Sequence, residues 1–173
     1  MPEIKENPHP KARYEVTLTI DDAPGPFDTV SGFVQYEVTN TECVPDSDPI
    51  NRIKKPPRHF PPITFERVND HQYRGAFYAD LMQDEDYYGM GVCHWHVTGA
   101  VATLKNHNVT FAPGLFADDI AEQKPATRYY AEGDYRDSDD ARTVSGNPNR
   151  AYYKPESRTD IFSITLVAKD VSP

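Results

Sequence analysis

The segment with the most chemically reactive side chains runs from Gly89 to Val97, GMGVCHWHV. Four consecutive positions hold one of the two cysteines, two of the six histidines and the only tryptophan of the chain. Such residues can ligate a metal, pair a nucleophile with its base, or belong to an ordinary strand. Which of these applies depends on where the side chains point.

Successive side chains of a strand point to opposite faces, and one face of this segment is apolar. We expect that face to point inward: Cys93, Trp95, Val97, Gly99 and Val101. A buried Cys93 can pair with Cys43, which follows another predicted strand. Closing a loop of about 50 residues would stabilise the fold by about 4 kcal/mol in the chain-entropy model. The alternative is two unrelated buried thiols.

The opposite face carries His94 and His96. The His-x-His spacing on a strand is one that metal sites use, but zinc needs a third and usually a fourth ligand. Candidates are scattered in the sequence: His71, His107, Asp80 and Glu85. Without a second short-spaced pair, the pattern favours two partly exposed imidazoles. A metal-binding β-domain, including a metalloenzyme, that uses His94 and His96 remains the alternative.

Catalytic motifs are missing from the sequence. Cys93 and His94 are neighbours on a strand and therefore face opposite ways, so they cannot form a nucleophile–base pair. The chain has no Gly-x-Ser-x-Gly, no Gly-rich phosphate loop and no His-Glu-x-x-His. We therefore predict that the protein is not an enzyme and needs no cofactor.

Two segments mix carboxylates with tyrosines: QDEDYYGMG from Gln83, and RYYAEGDYRDSDDAR from Arg128. The first lacks the ligand order of an EF-hand, so Ca²⁺ binding is not favoured. Tyrosines offer large rigid contact surfaces and carboxylates attract basic patches, which suggests binding of a protein partner, with a solvated turn as the alternative. The predicted partner-binding residues are Asp84, Glu85, Asp86, Tyr87, Tyr88, Tyr129 and Tyr130.

Strands must position these segments, because alternation of apolar and polar residues is the main pattern along the chain. It predicts strands over 13–20, 33–39, 63–68, 72–81, 91–104, 109–111 and 161–169. Residues 44–62 are Pro-rich and predicted to be loop, 117–123 a short helix, and 124–158 receives no assignment. The pattern predicts an all-β fold: an antiparallel immunoglobulin-like β-sandwich with long loops and at most short helices. We expect one domain over 13–170 after a flexible N-terminal segment, 1–12.

Charge and composition narrow the class of partner. The net charge is −9, which disfavours binding to nucleic acid. No apolar run approaches the roughly 20 residues needed to span a bilayer, and residues 1–10 resemble no signal peptide. The 16 prolines, 11 tyrosines and two cysteines are typical of exported β-rich domains.

Several stretches resemble a family of small exported proteins of Gram-negative bacteria. They are YEVTLTIDDAPGPFDTVSGFVQYEVTN with the cysteine that follows, LMQDEDYYGMGVCHWHV, SGNPNRAYYKPE and FSITLVAKD. Members are periplasmic immunity proteins, some of them lipoproteins, encoded beside antibacterial effectors of type VI secretion systems. The resemblance implies that Cys43 and Cys93 are the family's cysteine pair and that 83–91 is its most distinctive loop.

This resemblance leads to the main functional hypothesis, a non-enzymatic inhibitor that binds and occludes a toxic secreted effector. It implies a periplasmic location with the signal sequence removed, and a lipid anchor only in an untrimmed precursor. A structural or adhesive surface β-sandwich is a further alternative, since a fold alone does not separate these functions.

Overall fold

The computed structural model describes residues 2–153 and 160–173. Nearly half of them belong to strands, and the described residues also form two one-turn α-helices and two 3₁₀ turns, Thr41–Cys43 and Arg150–Tyr152. The strands and helices are β1 (Arg13–Asp21), β2 (Thr29–Val38), β3 (Asp46–Asp48), β4 (Ile53–Lys54), β5 (Arg58–His59), β6 (Pro62–Ile63), β7 (Glu66–Asn69), β8 (Gln72–Tyr78), β9 (Trp95–Asn106), β10 (Val109–Phe111), β11 (Gly114–Phe116), α1 (Ala117–Ala121), β12 (Ala126–Ala131), α2 (Glu132–Arg136), β13 (Arg142–Val144) and β14 (Ile161–Asp170).

Two main sheets form the two layers of a sandwich. The five-stranded sheet has the order β12-β14-β1-β8-β7, and the seven-stranded sheet the order β13-β10-β9-β2-β5, with β11 paired to β9 and β6 to β2. Their pairings are antiparallel except for β10 with β13. The predicted all-β antiparallel sandwich with only short helices is confirmed.

Alternating apolar residues of both sheets meet in one core. In β1 and β14 the buried positions recur at every second residue, and Leu18 lies opposite Leu166. The facing sheet contributes Val34, Tyr36 and Val38 from β2. Burying a side chain of this size stabilises the fold by about 1.5–3 kcal/mol. The faces predicted for these three strands are therefore correct.

A bulge in β9 changes the predicted inward face. Between Gln35 and Tyr36 of β2 the register shifts, which leaves Thr98 of β9 without an opposite residue. An extra residue reverses the alternation beyond it. The inward residues of the second half of β9 are accordingly Ala100, Ala102 and Leu104. Val101, expected to point inward, instead lies opposite Phe33 on the outer face and is half-buried.

Other predicted elements agree with the structure in part. The hairpin around residues 69–71 and the short helix after 116 are present as β7–β8 and α1. The Pro-rich stretch 44–62, predicted to be loop, contains β3, β4, β5 and the start of β6. The unassigned stretch 124–158 contains β12, α2 and β13, and its residues 154–158 lie outside the described residues.

The N-terminal segment lies along the chain that follows β8. The Asn7 N–H donates to the Leu81 carbonyl at 2.7 Å, and the Gln83 N–H donates to the Lys5 carbonyl at 3.0 Å. The flexibility expected of residues 1–12 stays a prediction. Among the described residues no helix has the length and apolar character needed to span a membrane.

Candidate functional site

The disulfide Cys43–Cys93 fastens one end of the seven-stranded sheet. Cys43 closes the 3₁₀ turn after β2, and Cys93 lies two residues before β9. The predicted pairing is confirmed, and both cysteines are buried. Since β2 and β9 are neighbours, the bond joins segments that leave one sheet, whereas the immunoglobulin disulfide crosses between sheets. A disulfide is compatible with an oxidising, exported compartment.

Residues 83–94, here called the 83–94 loop, are held against β9 by Asp84. Its Oδ1 accepts the backbone N–H of Trp95 at 2.9 Å, and its Oδ2 lies 2.9 Å from Nδ1 of His94. Such charge-assisted hydrogen bonds are stronger than neutral ones. The first acid of the predicted binding segment therefore fixes the loop to the sheet.

The next two acids also shape the loop. Asp86 Oδ1 accepts the N–H groups of Met90 at 3.1 Å and Gly91 at 3.3 Å. This turn requires φ of +111° at Gly91, a value that glycine adopts without strain. The Glu85 carboxylate lies 3.2 Å from Nζ of Lys5, and its carbonyl accepts the Cys93 N–H at 2.9 Å. The loop is thus closed on itself and tied to the N-terminal segment.

Tyr87 and Tyr88 pack the 83–94 loop against the core. The Tyr87 hydroxyl donates to the Gln83 carbonyl at 2.5 Å, and its ring meets Trp95 edge-on at 6.4 Å between centroids. Tyr88 is half-buried against the core. Within the described part of the chain, the buried Nε1 of Trp95 has no hydrogen-bond partner. The two tyrosines expose only part of their surface to solvent.

The side chains that the loop presents to solvent were not predicted from the sequence. Met90 is 50% and Val92 48% exposed, although both are large and apolar. The only signal for them was their position beside Gly89 and Gly91, which take positive φ. Apolar residues held outward by a rigid turn form a potential contact surface.

The β3–β4 hairpin, next to the disulfide, carries two further exposed apolar residues. It begins three residues after Cys43, and Nζ of Lys54 donates to the Thr41 carbonyl at 3.0 Å, which holds the hairpin beside the disulfide. Ile50 is 91% and Ile53 48% exposed.

Hydrogen bonds within the hairpin favour the ionised form of Asp48. Hydrogen bonds from the Asn51 side chain and backbone, and from the Ile50 N–H, lower the pKa of Asp48 below its ordinary value. A carboxylate with a lowered pKa stays ionised further into the acid range.

The two histidines share a strand face but have separate partners. His94 contacts Asp84, while Nδ1 of His96 lies 2.7 Å from Oγ1 of Thr39. The residues that the structure describes contain no group of three or more His, Cys, Asp or Glu side chains able to hold a metal ion. Among these residues, His94 and His96 thus lack the third ligand that the metal alternative requires.

Tyr129 and Tyr130 differ from each other in exposure. Tyr130 is completely buried and stacks on Phe162 at 5.3 Å, so the prediction that it contacts a partner is wrong. Burial raises its pKa well above the ordinary value, and Arg128 opposes the shift. Tyr130 lies on the inward face of β12, and its large aromatic ring also favours the core over the surface. Tyr129 is half-buried on the other face of β12.

Tyr129 also lies far from the 83–94 loop. Tyr129 pairs with Ser163, and Ser163 lies opposite Asp21, the last residue of β1. The 83–94 loop is near the other end of β1, because Arg13, its first residue, lies opposite Tyr78, shortly before the loop. The nine residues of β1 separate the two ends by about 25 Å. The two acidic, tyrosine-containing segments therefore do not form one surface.

No family model, no curated protein and no solved structure matches the chain. Its function must therefore be inferred from its own residues.

Proposed function

We propose that this protein is a non-enzymatic inhibitor, an immunity protein that binds a toxic secreted antibacterial effector and occludes its active cleft. The observation that carries the proposal is the 83–94 loop. It is fixed by the disulfide, by Asp84 and by Asp86, yet it holds Met90 and Val92 out into solvent. A loop of this kind suits insertion into a partner.

Rigidity matters because association loses the conformational freedom of the segments that become ordered. A flexible loop would lose about 0.5–1.5 kcal/mol for each side chain immobilised on binding, and a preorganised loop avoids much of that cost. The hydrogen bonds to Asp84 and Asp86 fix the backbone on both sides of Met90 before any partner arrives. The 83–94 loop therefore has the property that inhibitor loops need.

Charge indicates the partner's chemistry. The exposed acids around Met90 and Val92 add to a chain of net charge −9. They complement a basic cleft with an apolar pocket, and such complementarity accelerates association and selects among partners. The proposed effector thus carries a basic, partly apolar active cleft, and the loop blocks access to it.

The proposed site of action is the periplasm. The disulfide supports an oxidising compartment. The periplasm and the association with type VI secretion rest on the family resemblance of the sequence.

The test uses purified candidate effectors encoded beside this protein, with binding measured by calorimetry and effector activity assayed with and without the protein. The matched control for Val92→Asp is Val68→Asp. Val68 lies on the edge strand β7, away from the loop, and is 47% exposed, against 48% for Val92. We expect nanomolar binding, stoichiometric inhibition, and a loss of at least about 30-fold in affinity for Val92→Asp alone, as for a hot-spot residue.

Two results would contradict the proposal. If no candidate effector binds the folded, oxidised protein, the inhibitor function is wrong. If an effector binds but Val92→Asp and Val68→Asp behave alike, the protein binds through another surface.

A further inference from the structure

A cavity of about 770 Å³ opens at the end of the sandwich opposite the 83–94 loop. One wall is the segment from Asp22 to Phe27 after β1, and the other is the turn between β7 and β8. Ligand sites commonly occupy about 300–1,000 Å³ and combine an apolar interior with a few polar groups. The apolar part of the lining comes from Ile20, Ala23, Pro26, Phe27 and Tyr73, and Asp22, Arg67, Asp70 and His71 supply the polar groups.

Both walls are fixed in place. The Ile20 N–H donates to the His71 carbonyl at 2.7 Å, which ties the β7–β8 turn to β1. Phe27 packs edge-on against Tyr135 at 5.5 Å, and the Tyr135 hydroxyl donates to the Pro26 carbonyl at 2.5 Å. The cavity is therefore formed in advance of any ligand.

The acids at the mouth of the cavity differ in whether they are paired. Asp70 is paired with Arg67, while the Asp22 carboxylate has no ion pair or hydrogen bond to any described residue. An adjoining cavity, which Asp22 also lines, contains Arg150 and Glu132, and the Glu132 carboxylate is paired with Arg136 at 3.4 Å. Of these three carboxylates, Asp22 is therefore the one that a cationic group of a ligand can pair.

We propose that this cavity binds a small molecule that joins an ammonium group to an aromatic or branched aliphatic group. The ammonium pairs with Asp22, and the apolar part lies against Phe27 and Tyr73. Both rings can also attract the cation through their faces. This site is independent of the proposed inhibitor function, because it lies at the other end of the sandwich and involves none of the same residues.

The test compares phenethylamine with 3-phenylpropionate, which carry the same ring and opposite charges, in ¹H–¹⁵N NMR titrations of the whole chain at pH 7. We expect only the amine to bind, in the millimolar range, with shifts centred on residues 20–27 and 67–73. Asp22→Asn should weaken amine binding about fivefold, the effect of one partly exposed ion pair. Asp46→Asn, an exposed acid of the β3–β4 hairpin, should leave it unchanged.

Asp22→Asn is a suitable variant because Asp22 has φ of +65°, and asparagine accepts this left-handed conformation at least as well as aspartate. An unchanged melting temperature confirms that the variant is folded. The proposal is overturned if both probes bind equally, if neither produces shifts at the cavity, or if Asp22→Asn binds the amine as tightly as the original chain.

Discussion

Asp84 Oδ1 accepts the backbone N–H of Trp95 at 2.9 Å, and this bond joins the 83–94 loop to the first residue of β9. The same carboxylate reaches His94 through its other oxygen. The sequence predicted that Asp84 contacts a partner, but both of its carboxylate oxygens already have hydrogen-bond partners within the chain. In the proposed inhibitor, its role is indirect, since it helps to fix the loop that carries Met90 and Val92.

Replacing Asp84 with alanine should destabilise the loop. Trp95 would lose the acceptor of its N–H, and we expect the free energy of unfolding to fall by about 1–2 kcal/mol. Asp84→Asn keeps an oxygen acceptor and should retain most of the stability. Urea unfolding followed by the fluorescence of Trp95, the only tryptophan, measures both. Equal losses for the two variants would show that the charge, and not the hydrogen bond to Trp95, is what matters.

Removing the disulfide should have the largest effect on stability. The bond closes 50 residues, and the chain-entropy model gives about 4 kcal/mol for a loop of this size. We expect the Cys43→Ala, Cys93→Ala double variant to lose up to that amount and to bind an effector more weakly, since the 83–94 loop is no longer tied to the end of β2. Chemical denaturation of this variant, beside the reduced original chain as control, tests the expectation. A loss below about 1 kcal/mol would contradict it.

The long strands β1, β2 and β14 could be predicted because each buries every second residue along most of its length, and that pattern is local. Val16, Leu18 and Ile20 are buried as their alternation indicates. The bulge at Thr98 could not be predicted, because it depends on the register between β9 and β2, two strands that are distant in sequence. The same limit applies to β3–β6, which are two or three residues long and too short to show a period.

The candidate site was predictable in location but not in detail. The cysteine pair and the acidic loop were both evident in the sequence, and the structure places them together. Composition does not show whether an acid contacts solvent or a backbone N–H, so the roles of Asp84 and Asp86 became clear only from their partners. Tyr130 illustrates the opposite error, because a tyrosine in a polar stretch still alternates into the core.

The two histidines should not hold a metal stoichiometrically. His94 and His96 have different partners, and the described residues contain no group of three or more His, Cys, Asp or Glu side chains able to hold a metal ion. We expect metal analysis of protein purified without chelator to find well below one zinc or copper per chain, and the His94→Ala, His96→Ala double variant to give the same value. Stoichiometric metal that this double variant loses would instead support the metal-binding alternative.

Alkaline pH should destabilise the fold through its buried tyrosines. Burial raises the pKa of Tyr36, helped by the charges of Asp80 and Glu6, and burial likewise raises that of Tyr130. An unfolded tyrosine ionises near pH 10, so above this pH the unfolded chain loses protons that the folded chain retains. Stability should therefore be independent of these groups below about pH 10 and fall above it by about 1.4 kcal/mol per pH unit for each tyrosine.

Tyr130→Phe isolates one of these contributions. Its hydroxyl makes only a 3.3 Å hydrogen bond, to the Ser145 carbonyl, so the variant should lose no more than about 1 kcal/mol at pH 7. Above pH 10 its stability should fall less steeply than that of the original chain, because one group no longer ionises on unfolding. Urea unfolding between pH 8 and about 11 measures the slopes. Tyr152→Phe is the matched control, since Tyr152 is 70% exposed and its removal should leave the slope unchanged. If Tyr130→Phe keeps the full alkaline slope, the hydroxyl of Tyr130 ionises freely in the folded chain, and its burial does not restrain it.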